Sequence, residues 1–407
     1  MIKFLSMREI TPHLTKDEWL FTGFSTCHQI AKLFLGTFVV SFLMHNSINE
    51  IISVSAYRLF YYFAICMTFI LSATWCKLGN KTTLFGMNIV TRMILLGLIA
   101  ILGTRAADYV ILLGMLYGIF DGFYNLPMYE MIIEKVPHKR MVFFLGTKTA
   151  IKNTFKILVP VILGYFITTK SLQNTAWVMV VMTIIEIFML FLLSPSKQTS
   201  ANPVNFIGFY KTLKHNSTIL KQYFAEALCG FADILETLVT MYIVYVFFTD
   251  MNLGIWTTIF SICTIVASWA FGRFCTRRDY KWVMWLCSVL LLSTTLFLYL
   301  NVNHFSTLAY AFASTVCLEI LSQISGANSL NMAKTKFVSS EYCTEYLVGR
   351  SIVMFIGRWV AFVLLMYIGV FGLKSILGLF MMLAVFAKIY GSLISANLTN
   401  EISKQIK

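Results

Sequence analysis

Charge is scarce in this sequence. Only 12% of its 407 residues are charged, and 18 acidic residues stand against 32 basic ones. Soluble domains carry about 25% charged residues, so a large soluble globule is excluded. Proline is also rare, at six residues. The nine cysteines form no CxxC pair, and Cys27, Cys66, Cys229, Cys263, Cys287 and Cys317 fall inside apolar runs. They read as small reduced hydrophobes rather than metal ligands or disulfides. No phosphate-binding loop, no HExxH and no GxSxG is present. ATP hydrolysis, zinc hydrolysis and nucleophile-elbow chemistry therefore lose their motifs. We expect no enzyme, no cofactor and no bound metal.

What the chain has is apolar length. It is 58% hydrophobic, with a mean hydropathy of +0.77. About a dozen runs are long enough to cross a bilayer, which takes roughly 20 residues each. The expected spans are 21–45, 52–76, 83–103, 107–132, 142–168, 174–194, 221–248, 253–273, 281–301, 305–331, 343–369 and 372–394. The opening stretch MIKFLSMREITPHLTKDEWL is mixed and polar. It is not expected to be a cleaved leader, and the first span is expected to target itself. The polar stretch 195–220 divides the chain, so we expect an N-terminal bundle at 1–194, a linker at 195–220 and a C-terminal bundle at 221–407. The fold class is all-α and polytopic, with twelve transmembrane helices in two six-helix halves.

The net charge of +14 is distributed as membrane topology demands, and no nucleic-acid partner is expected. Basic residues crowd one set of connections, among them Lys77, Lys81, Lys135, Arg140, Arg277 and Arg278. The opposite set holds only Arg105, Lys170 and Lys374. Positive loops stay cytoplasmic. Both termini are therefore expected inside, in a multi-pass cell-membrane protein, taken as a monomer.

Two six-helix halves joined by a basic loop resemble the major facilitator superfamily. WCKLGNKTTLFG (75–86) resembles the family's loop between helices two and three, without its leading Gly and its Asp. KVPHKR (135–140) resembles the loop after helix four. VPVILG (159–164) is similar to the helix-five proline motif of exporters. A repeat in the charges supports two parallel halves. Lys148 and Arg350 stand 202 positions apart, as do Lys156 and Arg358, and such halves are related by an axis along the membrane normal.

The resemblance implies a central cavity surrounded by helices 1, 4, 7 and 10 and flanked by 2, 5, 8 and 11. The intramembrane charges follow that division. Span one carries His28 and Lys32, span two Arg58, span four Asp121, and span five Lys148, Lys152 and Lys156. Span seven carries Glu226, Asp233 and Glu236, span ten Glu319, and span eleven Arg350 and Arg358. A charge at mid-bilayer costs about 3 kcal/mol on insertion scales and faces protein or water. The lysines of span five rise about 6 Å per step on one helix face.

The expected substrate-binding residues are Lys32, Arg58, Lys148, Lys152, Lys156, Asn328, Arg350 and Arg358. The expected proton-coupling acids are Asp121, Glu226, Asp233, Glu236 and Glu319. Structural ion pairing with Asp121 or a span-seven acid is the alternative reading for Lys152 and Lys156, and Arg358 with Glu319 is likewise a candidate structural pair. Lys388 is expected to reach the headgroups from a helix end. Gly114, Gly118 and Gly122 read as a packing stripe. The function expected is secondary transport of an anionic or zwitterionic, amphipathic small molecule or lipid. Export or lipid flipping, with proton coupling, is favoured. A proton-coupled multidrug exporter and a non-transporting scaffold or receptor are the alternatives.

Overall fold

A computed structural model describes residues 15–77, 81–135, 138–192, 205–214, 216–247, 250–274, 280–332, 338, 342–371 and 376–405. All of the regular structure among them is helical. In chain order the long helices are α1 (Lys16–Asn46), α2 (Glu50–Lys77), α3 (Lys81–Leu102), α4 (Val110–Lys135), α5 (His138–Lys170) and α6 (Leu172–Leu192). They continue with α7 (Ser217–Ala232 and Ile234–Phe247), α8 (Asp250–Phe274), α9 (Tyr280–Leu300), α10 (His304–Met332), α11 (Cys343–Val370) and α12 (Leu377–Gln405).

Nine stretches of the described residues are both long and apolar enough to cross a membrane, and Ile157–Lys170 and Asn252–Ala267 are shorter apolar helices. One of the nine, Lys81–Met128, runs 48 residues. As one helix it would measure about 72 Å, more than twice a hydrocarbon core of about 30 Å. Gly103 turns it back: its φ of +58° opens a tight turn at Gly103–Tyr109 that separates α3 from α4. A side chain is disfavoured in that conformation.

Local chemistry starts the helices where they start. Thr15 caps α1: its hydroxyl accepts from Glu18 N (3.4 Å) and Glu18 Oε2 accepts from Thr15 N (2.7 Å), a reciprocal capping box. Asn216 caps α7 through Thr218 N and Ile219 N. Residues 205–214 and 216–220 of the stretch expected as a linker are among those described. A short helix, Phe206–Lys214, buries Phe209 against Tyr223 of α7, Tyr346 of α11 and Leu398 of α12, and Asn205 N donates to Glu345 Oε1 at 2.9 Å.

The packing repeats. In the first set of helices α2 lies on α4, α3 on α4 and α6, and α1 on α5 and α6. In the second, α8 lies on α10, α9 on α10 and α12, and α7 on α11 and α12. Adding six to each label converts one list into the other. The two sets meet along α2–α11 and α5–α8, and where the end of α1 (Val39–Asn46) meets the end of α7 (Ile234–Phe247). The first two seams exchange under the same operation.

Glycine permits the tight crossings. A Cβ on Gly114, Gly118 or Gly122 would strike Tyr57, Tyr61 or Thr68 of α2, so the expected packing stripe is one. Gly230 and Gly357 do the same for α7 against α11, and Gly254 lies against the Pro160 carbonyl at the α5–α8 seam. Thr258 donates to the Ile157 carbonyl at 2.8 Å, one turn before Pro160. Large apolar side chains such as Phe188, Phe191, Trp282 and Trp285 stay exposed on α6 and α9. In a bilayer these faces meet hydrocarbon.

Candidate functional site: an ion-lined central cavity

A cavity of about 610 Å³ lies between the two sets of helices. Its described walls come from α1, α2, α4, α7, α10 and α11, with Lys388 from α12. A second chamber of about 220 Å³ adjoins it between α7, α8 and α10, and the two share Asp233, Glu236, Glu319, Ser322 and Lys388.

On the α1–α4 side the charges converge on Asp121. Lys32 Nζ donates to its Oδ2 at 2.7 Å, Tyr61 OH to the same oxygen at 2.6 Å, and His28 Nε2 lies 3.0 Å from Oδ1. Asn125 Nδ2 adds a longer contact at 3.4 Å. Asp121 is 1% exposed, and four donors replace the water it has lost. His28 is held flat by stacking on Tyr124, with ring centroids 3.5 Å apart.

On the α7–α11 side two arginines meet two acids. Arg350 Nε lies 3.1 Å from Glu226 Oε1, and Gln222 donates to that same oxygen at 3.2 Å. Arg358 Nε donates to Asp233 Oδ2 at 2.7 Å, and its Nη2 is 2.6 Å from it. The Arg358 guanidinium also lies 5.0 Å from the Tyr62 ring centre, across the α2–α11 seam. Arg358 thus pairs with Asp233, not with Glu319. The close α7–α11 crossing at Gly230 and Gly357 presents Asp233 to it.

Arg58 is different. Its Nη2 donates to the Gly36 carbonyl at 2.5 Å, its Nε is buried with no hydrogen-bond partner, and among the described residues no carboxylate faces it. Tyr61, Tyr62 and Tyr117 share its stretch of wall.

Of the expected binding residues, the cavity brings together Lys32, Arg58, Arg350 and Arg358, and all five expected acids, Asp121, Glu226, Asp233, Glu236 and Glu319, line it. Asn328 stands elsewhere: its Nδ2 donates to the Ser395 carbonyl at 3.0 Å and so ties α10 to α12. Lys148, Lys152 and Lys156 lie on the backbone of α5, and their side chains are outside the described residues.

One expectation is overturned. Lys388 does not reach for headgroups: it is 3% exposed, lines the cavity and donates to Ser322 Oγ at 2.8 Å. The reason is helix length. α12 runs to Gln405, and 17 further residues place Lys388 about 25 Å from that end. The sequence reading also passed over Tyr61, Tyr62 and Tyr117. The run AYRLFYY around Arg58 was their signal, since a lone intramembrane arginine flanked by hydroxylated rings marks a polar face.

Away from the cavity, Arg92 of α3 and Glu186 of α6 form a fully buried pair, with Nη1 donating to Oε1 at 3.0 Å, and Arg92 sits over the Phe120 ring.

Helical repeats that enclose an ion-lined cavity between them define a membrane transporter rather than an enzyme. The chain belongs to the Major Facilitator Superfamily, whose sequence profile matches residues 24–342. Among solved structures, it is similar to a D-xylose–proton symporter, with a TM-score of 0.70 and 11% identity over 96% of this chain and 99% of that one. It is similar to a bacterial homologue of the iron transporter ferroportin in an inward-facing state, with a TM-score of 0.70 and 10% identity over 95% and 99%. The peptide transporter POT in complex with alafosfalin gives 0.68 and 11%, over 96% of each chain. These likenesses concern the fold. No curated protein matches the sequence.

Proposed function

We propose that this chain is a secondary transporter that moves a small anionic or zwitterionic, amphipathic substrate by alternating access. The halves 1–194 and 221–407, joined by 195–220, rock about the central cavity. One observation carries the substrate class: among the described residues, Lys32, Arg350 and Arg358 each meet a carboxylate and Lys388 a hydroxyl, whereas Arg58 meets a carbonyl and keeps a buried Nε without a partner. A cation that has left water without a counter-ion favours an incoming anion. The tyrosines beside it supply an apolar surface with polar tips. Lys148, Lys152 and Lys156 on α5 are further candidates to attract the anion.

Asp121, Glu226, Asp233, Glu236 and Glu319 are the candidates for proton coupling. The carboxylates of Asp121, Glu226 and Asp233 are tied to bases that a substrate anion competes for. The exporter-like proline segment at Pro160 supports export or lipid flipping, and the basic connections support cytoplasmic termini. The contact of Val39–Asn46 with the end of α7 and that of Gly254 with Pro160 lie toward the side remote from the termini, which supports an inward-open state.

Reconstitution in proteoliposomes on a solid-supported membrane tests the reading. Octyl phosphate, decanoate and a short-chain lysophosphatidylethanolamine are expected to give currents that grow with an imposed pH gradient. Currents with octyltrimethylammonium alone, or with none of the four, overturn it.

A further inference from the structure

The first helix of each bundle departs from α-geometry at the depth of the cavity. In α1 the residues Phe34–Phe38 form one π-turn, with Val39 N–H bonded to the Phe34 carbonyl five residues back. In α7 the helix is interrupted at Asp233, between Ala232 and Ile234. The interruptions stand about 200 positions apart, the offset of the charge repeat. Each is held by the side chain of a helix packed beside it. Arg358 of α11 holds the α7 break through Asp233. On α1, Tyr57 OH donates to the Leu35 carbonyl at 3.0 Å and Arg58 to the Gly36 carbonyl at 2.5 Å.

A π-turn displaces carbonyls from the helical ladder, and they need other donors. The α1 turn takes one of them from Arg58, a cavity cation whose described bond is to a carbonyl and whose buried Nε has no partner. A Cβ on Gly36 would press on Tyr117 OH at 3.3 Å and meet Arg58 Nη2 at an ordinary contact distance of 3.8 Å. Beyond the turn, Val39–Asn46 is the part of α1 that packs on the end of α7.

We propose that Arg58 is the receptor for a phosphate or carboxylate group of the substrate, and that its bond to the Gly36 carbonyl links anion binding to the π-turn of α1. This rests on the anionic-substrate reading. An anion makes a stronger, charge-assisted bond than a neutral carbonyl. When it arrives, the guanidinium turns toward it, the Gly36 carbonyl loses its donor, and the turn relaxes toward α-geometry. The far end of α1 then moves against α7. The five N–H groups of arginine allow a transfer from carbonyl to anion without a fully unbonded intermediate. A lysine has the charge but not the fork.

The test uses the full chain in nanodiscs, in a background with its native cysteines replaced, with spin labels on Asn46→Cys and Tyr245→Cys at the far ends of α1 and α7. Octyl phosphate is the probe, with binding measured beside the label-to-label distance. The unsubstituted Arg58 protein is expected to bind it and to show a shifted distance distribution. Arg58→Gln keeps a donor for Gly36 but no charge, and is expected to lose about tenfold or more in affinity without shifting. Arg58→Lys is expected to bind within a few-fold of the parent and not to shift. Melting temperatures confirm that each variant is folded, and the lysine variant tests the link if the glutamine variant fails to fold. Parent-like affinity in Arg58→Gln overturns the receptor assignment and leaves the anionic reading standing. A parent-like shift in Arg58→Lys, or no shift in the parent on binding, overturns the link to α1. Binding of octyltrimethylammonium but not octyl phosphate overturns the anionic reading itself.

Discussion

Asp121 shows how one side chain organises this cavity. It takes Lys32, His28 and Tyr61 at hydrogen-bond distance while buried, so its value lies in compensation rather than attraction. Removing one member of a buried ion pair leaves the other uncompensated and costs about 3–5 kcal/mol, whereas removing both costs far less. Asp121→Asn is therefore expected to destabilise the purified protein by that amount. Asp121→Asn with Lys32→Met is expected to recover most of the loss in thermal melts. The Arg92–Glu186 pair obeys the same physics outside the cavity. Arg92→Leu with Glu186→Leu is expected to melt near the parent and to keep full transport in the vesicle assay. Loss of transport in a stable double variant would give that pair a working role. At this scale the sequence showed which spans carry charge, and the cavity's described lining includes Lys32, Arg58, Arg350, Arg358 and the five acids among them. It did not show partners: Arg358 had Glu319 as its candidate and took Asp233, because helix rotation and a glycine crossing set what faces what.

The helices differ in how much glycine they can give up. Gly97 of α3 has open space where a Cβ would go, whereas on Gly118 of α4 that Cβ would lie 2.7 Å from the Ala64 Cβ and 2.9 Å from Ile65 N. Gly97→Ala is expected to be neutral or to stabilise by up to about 1 kcal/mol through helix propensity. Gly118→Ala is expected to cost about 1–3 kcal/mol by overpacking α4 on α2. Melting temperature and monodisperse yield separate the two, and equal behaviour would remove the close crossing. The α4 stripe was legible because glycine at four-residue spacing on an apolar helix has one common use. The π-turn of α1 and the break in α7 were not. Nothing in FLGTF or GFADIL forbids a continuous helix, and the departures are stabilised by Tyr57, Arg58 and Arg358 from neighbouring helices.

For the whole molecule, the alternating access proposed above makes the seams between the two sets of helices the moving parts. At the α2–α11 seam a Cβ on Gly369 would lie 3.2 Å from the Ile51 Cβ, close to the 3.5–4.5 Å of a disulfide. Ile51→Cys with Gly369→Cys is expected to cross-link under oxidant, to stop flux in vesicles and to recover on reduction. Flux that persists through complete cross-linking would show that this seam does not open. Topology is tested separately. Cysteines at Ser47 and Asn303 are expected to react with an impermeant maleimide from outside the cell alone. Labelling from the cytoplasmic face would invert the orientation and the inward-open assignment with it.

The sequence by itself determined the class, the order of the helices and the helices on which the charges would meet. The bilayer is the reason: it demands long apolar runs, makes each buried charge expensive and sorts basic loops to one side, and all three demands are written locally in the chain. The tertiary structure alone decided that Arg58 has a carbonyl for a partner, that Lys388 faces the cavity and that Asn328 leaves it. Those outcomes depend on the rotation of each helix about its axis and on contacts between residues 22 to 67 positions apart, which no local pattern encodes.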